Sequence, residues 1–342
     1  MDENAARHLH QEALVIDSHN DSIVALIRRG NIGLDGSQRS DYRQREGAVA
    51  YLRQYIQPLG AGIQLDIPKM RQGGLDAAFF AVDCTRPWGN HLLYLMDALG
   101  YFLREVAEHG GNITIARSAS DIESARAEGK LAAILAVENS DALEKSPQVL
   151  PLLHQLGVRA MTLTHSTRSW AGDGCEVEGG TGLTGFGRRL VDQLNELGVV
   201  VDVSHLNEPG FWDVVGMTQA PFMATHSCCR ALCDHPRNLR DEQLQALAEK
   251  GGVVGITFVP AFIAATAPAL AGLLDHIDHA VSIAGIDHVG LGSDFDGGGE
   301  LVQDATHLPE ITIGLADRGY AEADIRKILG DNQLRLLQRV IG

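Results

Sequence analysis

The chain has 342 residues, 45% of them hydrophobic, with a formal net charge of −16 and a pI near 5.2. That length allows one large core or two modest ones. The acidic balance, with no block of Lys and Arg, excludes nucleic acid and anionic membrane surfaces as expected partners. The five cysteines, Cys84, Cys175, Cys228, Cys229 and Cys233, are odd in number in a chain too large for a disulfide scaffold. Buried thiols in a reducing compartment are expected, and no Cys-x-x-Cys pair supports a thiolate metal site beside His226.

In chain order, the stretch Met1 to Glu12 is polar and lacks the apolar core of a signal peptide, which leads to an expected cytoplasmic setting. Eight apolar runs then recur, each leading into polar residues: Ala13–Ile16, Ala77–Val82, Leu131–Val137, Ala160–Leu163, Val199–Val203, Pro221–Ala224, Val253–Phe258 and His288–Leu291. Such runs are expected of parallel strands buried on both faces. Helical patterns lie between them. Ser146-Pro147 opens one, with Val149, Leu152, Leu153 and Leu156 inward and Gly157 at its stop. Thr184 opens another that runs to Gly198, Asp241 a third that runs to Gly251, and the last spans Ala321 to Val340.

This alternation predicts an α/β fold, a (β/α)8 TIM barrel forming a single domain over residues 1–342. A doubly wound open sheet is the second choice, weakened because no Gly-x-Gly-x-x-Gly follows the first strand. The connection from Ile23 to Leu75 is a long insertion. Its charged Arg28–Gly47 segment and helical-looking Tyr51–Gln57 read as a lid or rim. Gly251 to Leu274 is uncharged and long enough to cross a bilayer, but Pro260, Pro268 and its glycines make it a strand, an apolar loop and a helix.

In a barrel, chemistry sits where strands end. The polar residues at those positions are His19 and Asp21, Glu138, His165, His205, His226 and Asp294. His19 and Asp21, two apart on an extended chain, point the same way. Any one of these alone is a capping turn or a hydrogen-bonded histidine as readily as a ligand. Four histidines and three carboxylates at successive strand ends point to a metal site. The inventory suits two ions: His19 and Asp21 on one, His205 and His226 on the other, and Glu138 between. Two divalent ions roughly 3.5–4 Å apart hold a hydroxide and polarise a carbonyl. His and carboxylate donors without thiolate favour zinc, with manganese and cobalt open. Asp294 remains as general base and acid, and His165 as a donor to a developing oxyanion.

At these residues the sequence resembles the membrane (renal) dipeptidase family, the M19 zinc peptidases. The resemblance includes Asp17-Ser18-His19-Asn20-Asp21, Leu65-Asp66-Ile67-Pro68-Lys69-Met70, Leu163-Thr164-His165, Gly182-Leu183-Thr184-Gly185-Phe186-Gly187, Asp202-Val203-Ser204-His205, Thr225-His226-Ser227, His235-Pro236-Arg237-Asn238, Gly292-Ser293-Asp294-Phe295-Asp296-Gly297 and Leu329-Gly330-Asp331-Asn332. It implies an amidohydrolase-like barrel with a binuclear zinc site. One zinc would take His19, Asp21 and Glu138, and the other Glu138, His205 and His226. It implies His165 and Arg237 on the substrate, Asp294 in proton transfer, and a homodimer. Arg237 enters through the resemblance alone, and the chemistry agrees: a guanidinium binds a dipeptide's terminal carboxylate bidentately. The implied activity is a zinc-dependent dipeptidase, extending to L-Xaa-D-Xaa dipeptides. The same site could instead open a lactam or another small amide, or serve a non-catalytic binding protein that had kept its metal. The chain departs from many relatives at Gly185, where they carry Pro, and from the animal enzymes at Val259, where they carry Tyr.

Overall fold

The computed structural model describes residues 1–28, 32–37, 62–85 and 89–342. Among the described residues, nine parallel strands run in chain order: β1 (Ile16–Asn20), β2 (Ala77–Asp83), β3 (Ile113–Ile115), β4 (Leu131–Glu138), β5 (Val158–Thr162), β6 (Val200–Asp202), β7 (Met223–Ser227), β8 (Val253–Ile256) and β9 (Val289–Leu291). Their lateral order is β2-β1-β9-β8-β7-β6-β5-β4, and pairing of β2 with β4 closes the ring. Eight strands therefore form the expected closed barrel, with helices around it.

The ninth strand, β3, was not expected. It pairs with the start of β4, Ile113 opposite Leu131. The next strand, β5, takes over that edge of β4 only from Leu135 onward. Three residues, Ile113 buried and Thr114 and Ile115 half-buried, carry too short a pattern to read as a strand.

Alternation along the strands sorts the core. Ile16, Ala77, Phe79, Ala132, Ile134 and Ala160 pack together with the helices Ala119–Ala127 and Asn332–Val340. Their neighbours Ala78, Phe80, Val82, Leu135 and Val137 face the opposite way, into the larger cluster that includes Tyr94, Phe102 and Leu153. Two-sided burial is why these runs lack polar alternation.

The strand boundaries differ from expectation at one end. The first strand begins at Ile16 and continues through His19 to Asn20. Polar residues do not end it because the barrel satisfies them. Ser18 Oγ donates to the Leu291 carbonyl at 2.8 Å, and Asn20 Nδ2 to the Phe79 carbonyl at 2.9 Å. Glu138 and His226 likewise lie within β4 and β7, not after them.

The helices mostly follow the sequence. Thr184 caps Gly185–Leu197 through the Gly187 amide, and Gly198 ends it with φ +67°. Gly185 occupies the first helical position, which Pro also suits. The helix expected at Ser146-Pro147 starts at Val149 and buries Leu150 and Leu153, leaving Leu152 exposed. The final helix runs on as expected, with one π-helical turn inside it. Glu322–Arg326 and Asn332–Val340 flank a wide turn, Lys327–Asp331. There a Cβ on Gly330 would lie 2.4 Å from the Leu14 carbonyl oxygen, so the widened turn sits where the helix approaches the barrel most closely. Gly251–Leu274 contains the expected strand and leads into the expected helix (Leu270–Ala284), and a short helix (Pro260–Ile263) lies within the stretch expected as an apolar loop. Among the described residues, no helix is long and apolar enough to cross a membrane. The helix expected at Tyr51–Gln57 and most of the Arg28–Gly47 segment lie outside the described residues.

Candidate metal centre

Parallel register gathers the ligand candidates at one end of the barrel. Glu138 ends β4, level with Asp83 on one side and Thr162 on the other. His19 lies near the end of β1, His205 follows β6, and His226 is the fourth residue of β7. Asp294 follows β9, and its amide donates to the His19 carbonyl at 2.9 Å. His205 and Asp294 both take left-handed backbone, with φ +68° and +58°. Such conformations cost on the order of 1–3 kcal/mol each and persist where surroundings impose them. The Cys175 amide holds the His205 carbonyl at 2.7 Å, and the amides of Gly297, Gly298 and Gly299 gather on the Asp294 carbonyl.

All seven residues expected from strand ends meet at this centre. Glu138 is its hub. Its Oε1 lies 2.9 Å from His205 Nε2 and 3.6 Å from His226 Nε2, while its Oε2 lies 3.6 Å from His19 Nε2. One carboxylate thus faces two separate groups of donors. The His19 and His226 rings stack with centroids 3.7 Å apart, and the His165 and His205 rings stack at 4.1 Å. Donor atoms of Glu138, His205 and His226 lie within 4.8 Å of one another, as do those of His19, Asp21 and Asp294. His19, Asp202 and His226 also meet that spacing. The Asp202 oxygens, however, are taken by the amides of Ser204 and Thr225 and by the hydroxyls of Thr162 and Thr225.

The donor set fits divalent ions. His19 Nε2 and Asp21 Oδ1 are buried without a hydrogen-bond partner. The Nε2 atoms of His205 and His226 converge to 3.0 Å, and their Nδ1 atoms rest on Ser166 Oγ and Thr225 Oγ1, both at 2.9 Å. Partners on Nδ1 leave Nε2 to act as ligand. Unsatisfied donors converging in a buried site cost free energy unless something cationic joins them.

The electrostatics record the same tension. Burial raises the Asp21 carboxyl well above its ordinary value, and the Glu138 charge adds to this. Burial also lifts Asp294, against the pull of His19, to about 7. Glu138 goes the other way: burial opposes its charge, but His19 and His205 outweigh it and hold the carboxylate well below the usual range. Burial works against the His19 imidazolium, yet Glu138, Asp21 and Asp294 push its pKa up to about 10. Burial, then Arg237 and His165, drives His205 well down, and burial with the His19 charge does the same to His226.

A cleft of about 330 Å³ opens over this centre, lined by Asp21, Glu138, His165, His205, Arg237 and Asp294, with Val259 and Phe262 as its apolar wall. Arg237 is 3% exposed. Its Nη2 donates to the His226 carbonyl at 3.1 Å, its Nε has no partner, and its guanidinium lies 5.3 Å from the Phe262 ring centroid. A buried guanidinium in a metal cleft suits a carboxylate. No spacing in the sequence marked it, since Pro236-Arg237 looks like an exposed loop. Asp17, Asp202 and Thr225 were also missed as supports. Their signal was a carboxylate or hydroxyl within an apolar strand.

The cysteine thiols join none of these ligand groups. Burial raises the Cys228 thiol well above its ordinary value and pushes Cys229 up to about 12. No cysteine belongs to a ligand-spaced group among the described residues.

Comparison with known proteins agrees with this geometry. A Klebsiella pneumoniae protein, described as an uncharacterized protein in the pqqA 5′ region, is 35% identical over 265 residues, covering 74% of this chain and 98% of that one. A metallopeptidase from Rhodobacter sphaeroides, solved with a phosphinate mimic of the dipeptide L-Ala-D-Ala, superposes with a TM-score of 0.83. It shares 29% identity, with 96% of this chain and 99% of that one covered. A metallopeptidase of family M19, dipeptidase AC, gives 30% identity, a TM-score of 0.83 and the same coverage. The family model for membrane dipeptidase (peptidase family M19) matches residues 3–341, and the chain belongs to this family of metal-dependent dipeptidases.

Proposed function

We propose that the protein is a zinc-dependent dipeptidase whose two ions share Glu138. The observation that carries this reading is the division of the Glu138 carboxylate, one oxygen toward His205 and His226 and the other toward His19. His19, Asp21 and Glu138 would hold one ion, and Glu138, His205 and His226 the other. The imidazole and carboxylate donor set, with no thiolate, favours zinc. When bound, the ions would supply an activated water and a Lewis acid for the scissile carbonyl.

The chain's own residues do the rest. Arg237, fixed by its bond to the His226 carbonyl, receives the terminal carboxylate of the substrate and sets the register of the peptide in the cleft. His165, stacked on His205, donates to the carbonyl oxygen as it gains charge. Asp294 takes a proton on a carboxylate oxygen and passes it to the leaving amine. A carboxylate at the rim of the cleft, beside the residues that would hold the ions, is placed to hold and release that proton. The phosphinate mimic of L-Ala-D-Ala in the Rhodobacter sphaeroides relative supports extending the substrates to a D residue at the C-terminal position.

The test is steady-state hydrolysis of paired L-Xaa-L-Xaa and L-Xaa-D-Xaa dipeptides, with N-acetylated controls, by protein of measured metal content. Turnover of the free dipeptides and not of the acetylated ones is expected. No turnover of any dipeptide by protein holding two equivalents of zinc would move the assignment to another small amide.

A further inference from the structure

We propose that Asp202 acts through the Thr225 hydroxyl to fix the tautomer of His226, and so prepares that ring to bind a metal ion. Asp202 ends β6, deep under the site, and is 1% exposed. Its Oδ1 accepts the amides of Ser204 and Thr225, both at 2.9 Å. Its Oδ2 accepts the hydroxyls of Thr162 and Thr225, both at 2.6 Å. Four donors leave this carboxylate no role as a ligand. They also decide where the Thr225 proton goes. A hydroxyl has one proton, and at 2.6 Å from a carboxylate the Thr225 proton lies on that bond.

Thr225 Oγ1 can then only accept from the next atom along, His226 Nδ1 at 2.9 Å. The ring is therefore protonated on Nδ1, and its Nε2 lone pair faces Glu138 Oε1 and His205 Nε2. The same aspartate steadies the backbone on both sides. Ser204, whose amide it accepts, receives the His226 amide on its Oγ at 3.1 Å and immediately precedes His205. One buried carboxylate thus organises two of the histidines at the site. Histidine ligands commonly donate their second nitrogen to a carboxylate; here a threonine hydroxyl stands between the two.

The relay makes an unusual prediction for an isosteric change. In Asp202→Asn, two backbone amides require the side-chain oxygen at the Oδ1 position, which puts the NH2 where Oδ2 was. Thr225 must then accept from that NH2, and its own proton turns toward His226 Nδ1. The ring moves its proton to Nε2, where a metal would bind. Thr225→Val removes the link outright, and Thr225→Ser restores it.

The inference rests on the dinuclear reading above, and the experiment separates the two. Nitrogen-15 NMR of the full-length, metal-free protein reads the His226 tautomer directly. Chelator competition and metal analysis on the loaded protein read affinity and stoichiometry. In wild type, Nδ1–H is expected. Asp202→Asn should show Nε2–H. Both Asp202→Asn and Thr225→Val should bind one of two zinc equivalents about 10–100-fold more weakly, with Thr225→Ser near wild type. Wild-type protein that binds no divalent ion would overturn the dinuclear reading. A wild-type His226 protonated on Nε2, or folded Thr225→Val that holds both ions at wild-type affinity, would overturn the relay.

Discussion

At the scale of single residues, the site is a set of charges that burial makes costly and mutual placement makes tolerable. Asp294 and Arg237 are the two candidates with separable kinetic signatures. Asp294→Asn keeps the shape of the side chain and removes its capacity to take a proton. It is expected to bind metal as wild type does and to lose at least about 100-fold in kcat. Metal analysis beside steady-state kinetics checks this, and full turnover would remove Asp294 from proton transfer. Arg237→Ala should instead raise KM, by an amount equivalent to about 2–5 kcal/mol if the pair with the substrate carboxylate is desolvated. A KM unchanged across a dipeptide panel would assign the carboxylate to another group. The space beside Asp294 is equally constrained. A Cβ on Gly297 would lie 2.1 Å from Asp21 Oδ2 and 2.2 Å from Asp294 Oδ1.

At the scale of elements, the strand ends work because polar residues there bond across the barrel instead of ending the sheet. Asp17 accepts both the amide and the hydroxyl of Ser293, at 2.7 and 2.8 Å, which sets the turn that carries Asp294. Strand β7 sits so close to β9 that a Cβ on Gly292 would stand 1.8 Å from the Thr225 carbonyl oxygen and 2.9 Å from Ser18 Oγ. The backbone oxygen cannot step aside as a side chain can. Gly292→Ala should therefore destabilise the fold by at least about 1–3 kcal/mol through overpacking. Urea denaturation measures it, and a variant as stable as wild type would show that the barrel interior yields more easily than this spacing implies.

At the scale of the molecule, a closed parallel barrel brings together ligands separated by more than 200 residues of chain, from His19 to Asp294. Four histidines and three carboxylates share this end, and a divalent ion bound only by the folded state stabilises it by mass action. Stripping metal with a chelator is expected to lower Tm, and adding zinc back to raise it. An excess of 100 times Kd corresponds to about 2.7 kcal/mol. A melting curve indifferent to both treatments would mean that the centre does not depend on metal for its stability.

The sequence by itself determined the barrel and the polar residues gathered at one end of it. Two-sided burial writes apolar runs of strand length, and a functional barrel places its polar residues where those runs stop. His19, Asp21, Glu138, His165, His205, His226 and Asp294 are therefore legible in order, because each is adjacent in sequence to the strand that carries it. Arg237 was legible only by resemblance, since the cleft wall beside it includes Phe262, from the separate short helix Pro260–Ile263. Tertiary structure alone decided that β1 extends through its polar residues, that the last helix widens at Gly330, and that amides and hydroxyls take up the Asp202 oxygens. Each of these depends on a partner distant in sequence, such as Leu291 for Ser18, Leu14 for Gly330 and Thr162 for Asp202. Local pattern records which face of an element is buried. Which atom meets a given hydroxyl or carbonyl is fixed only when the barrel closes.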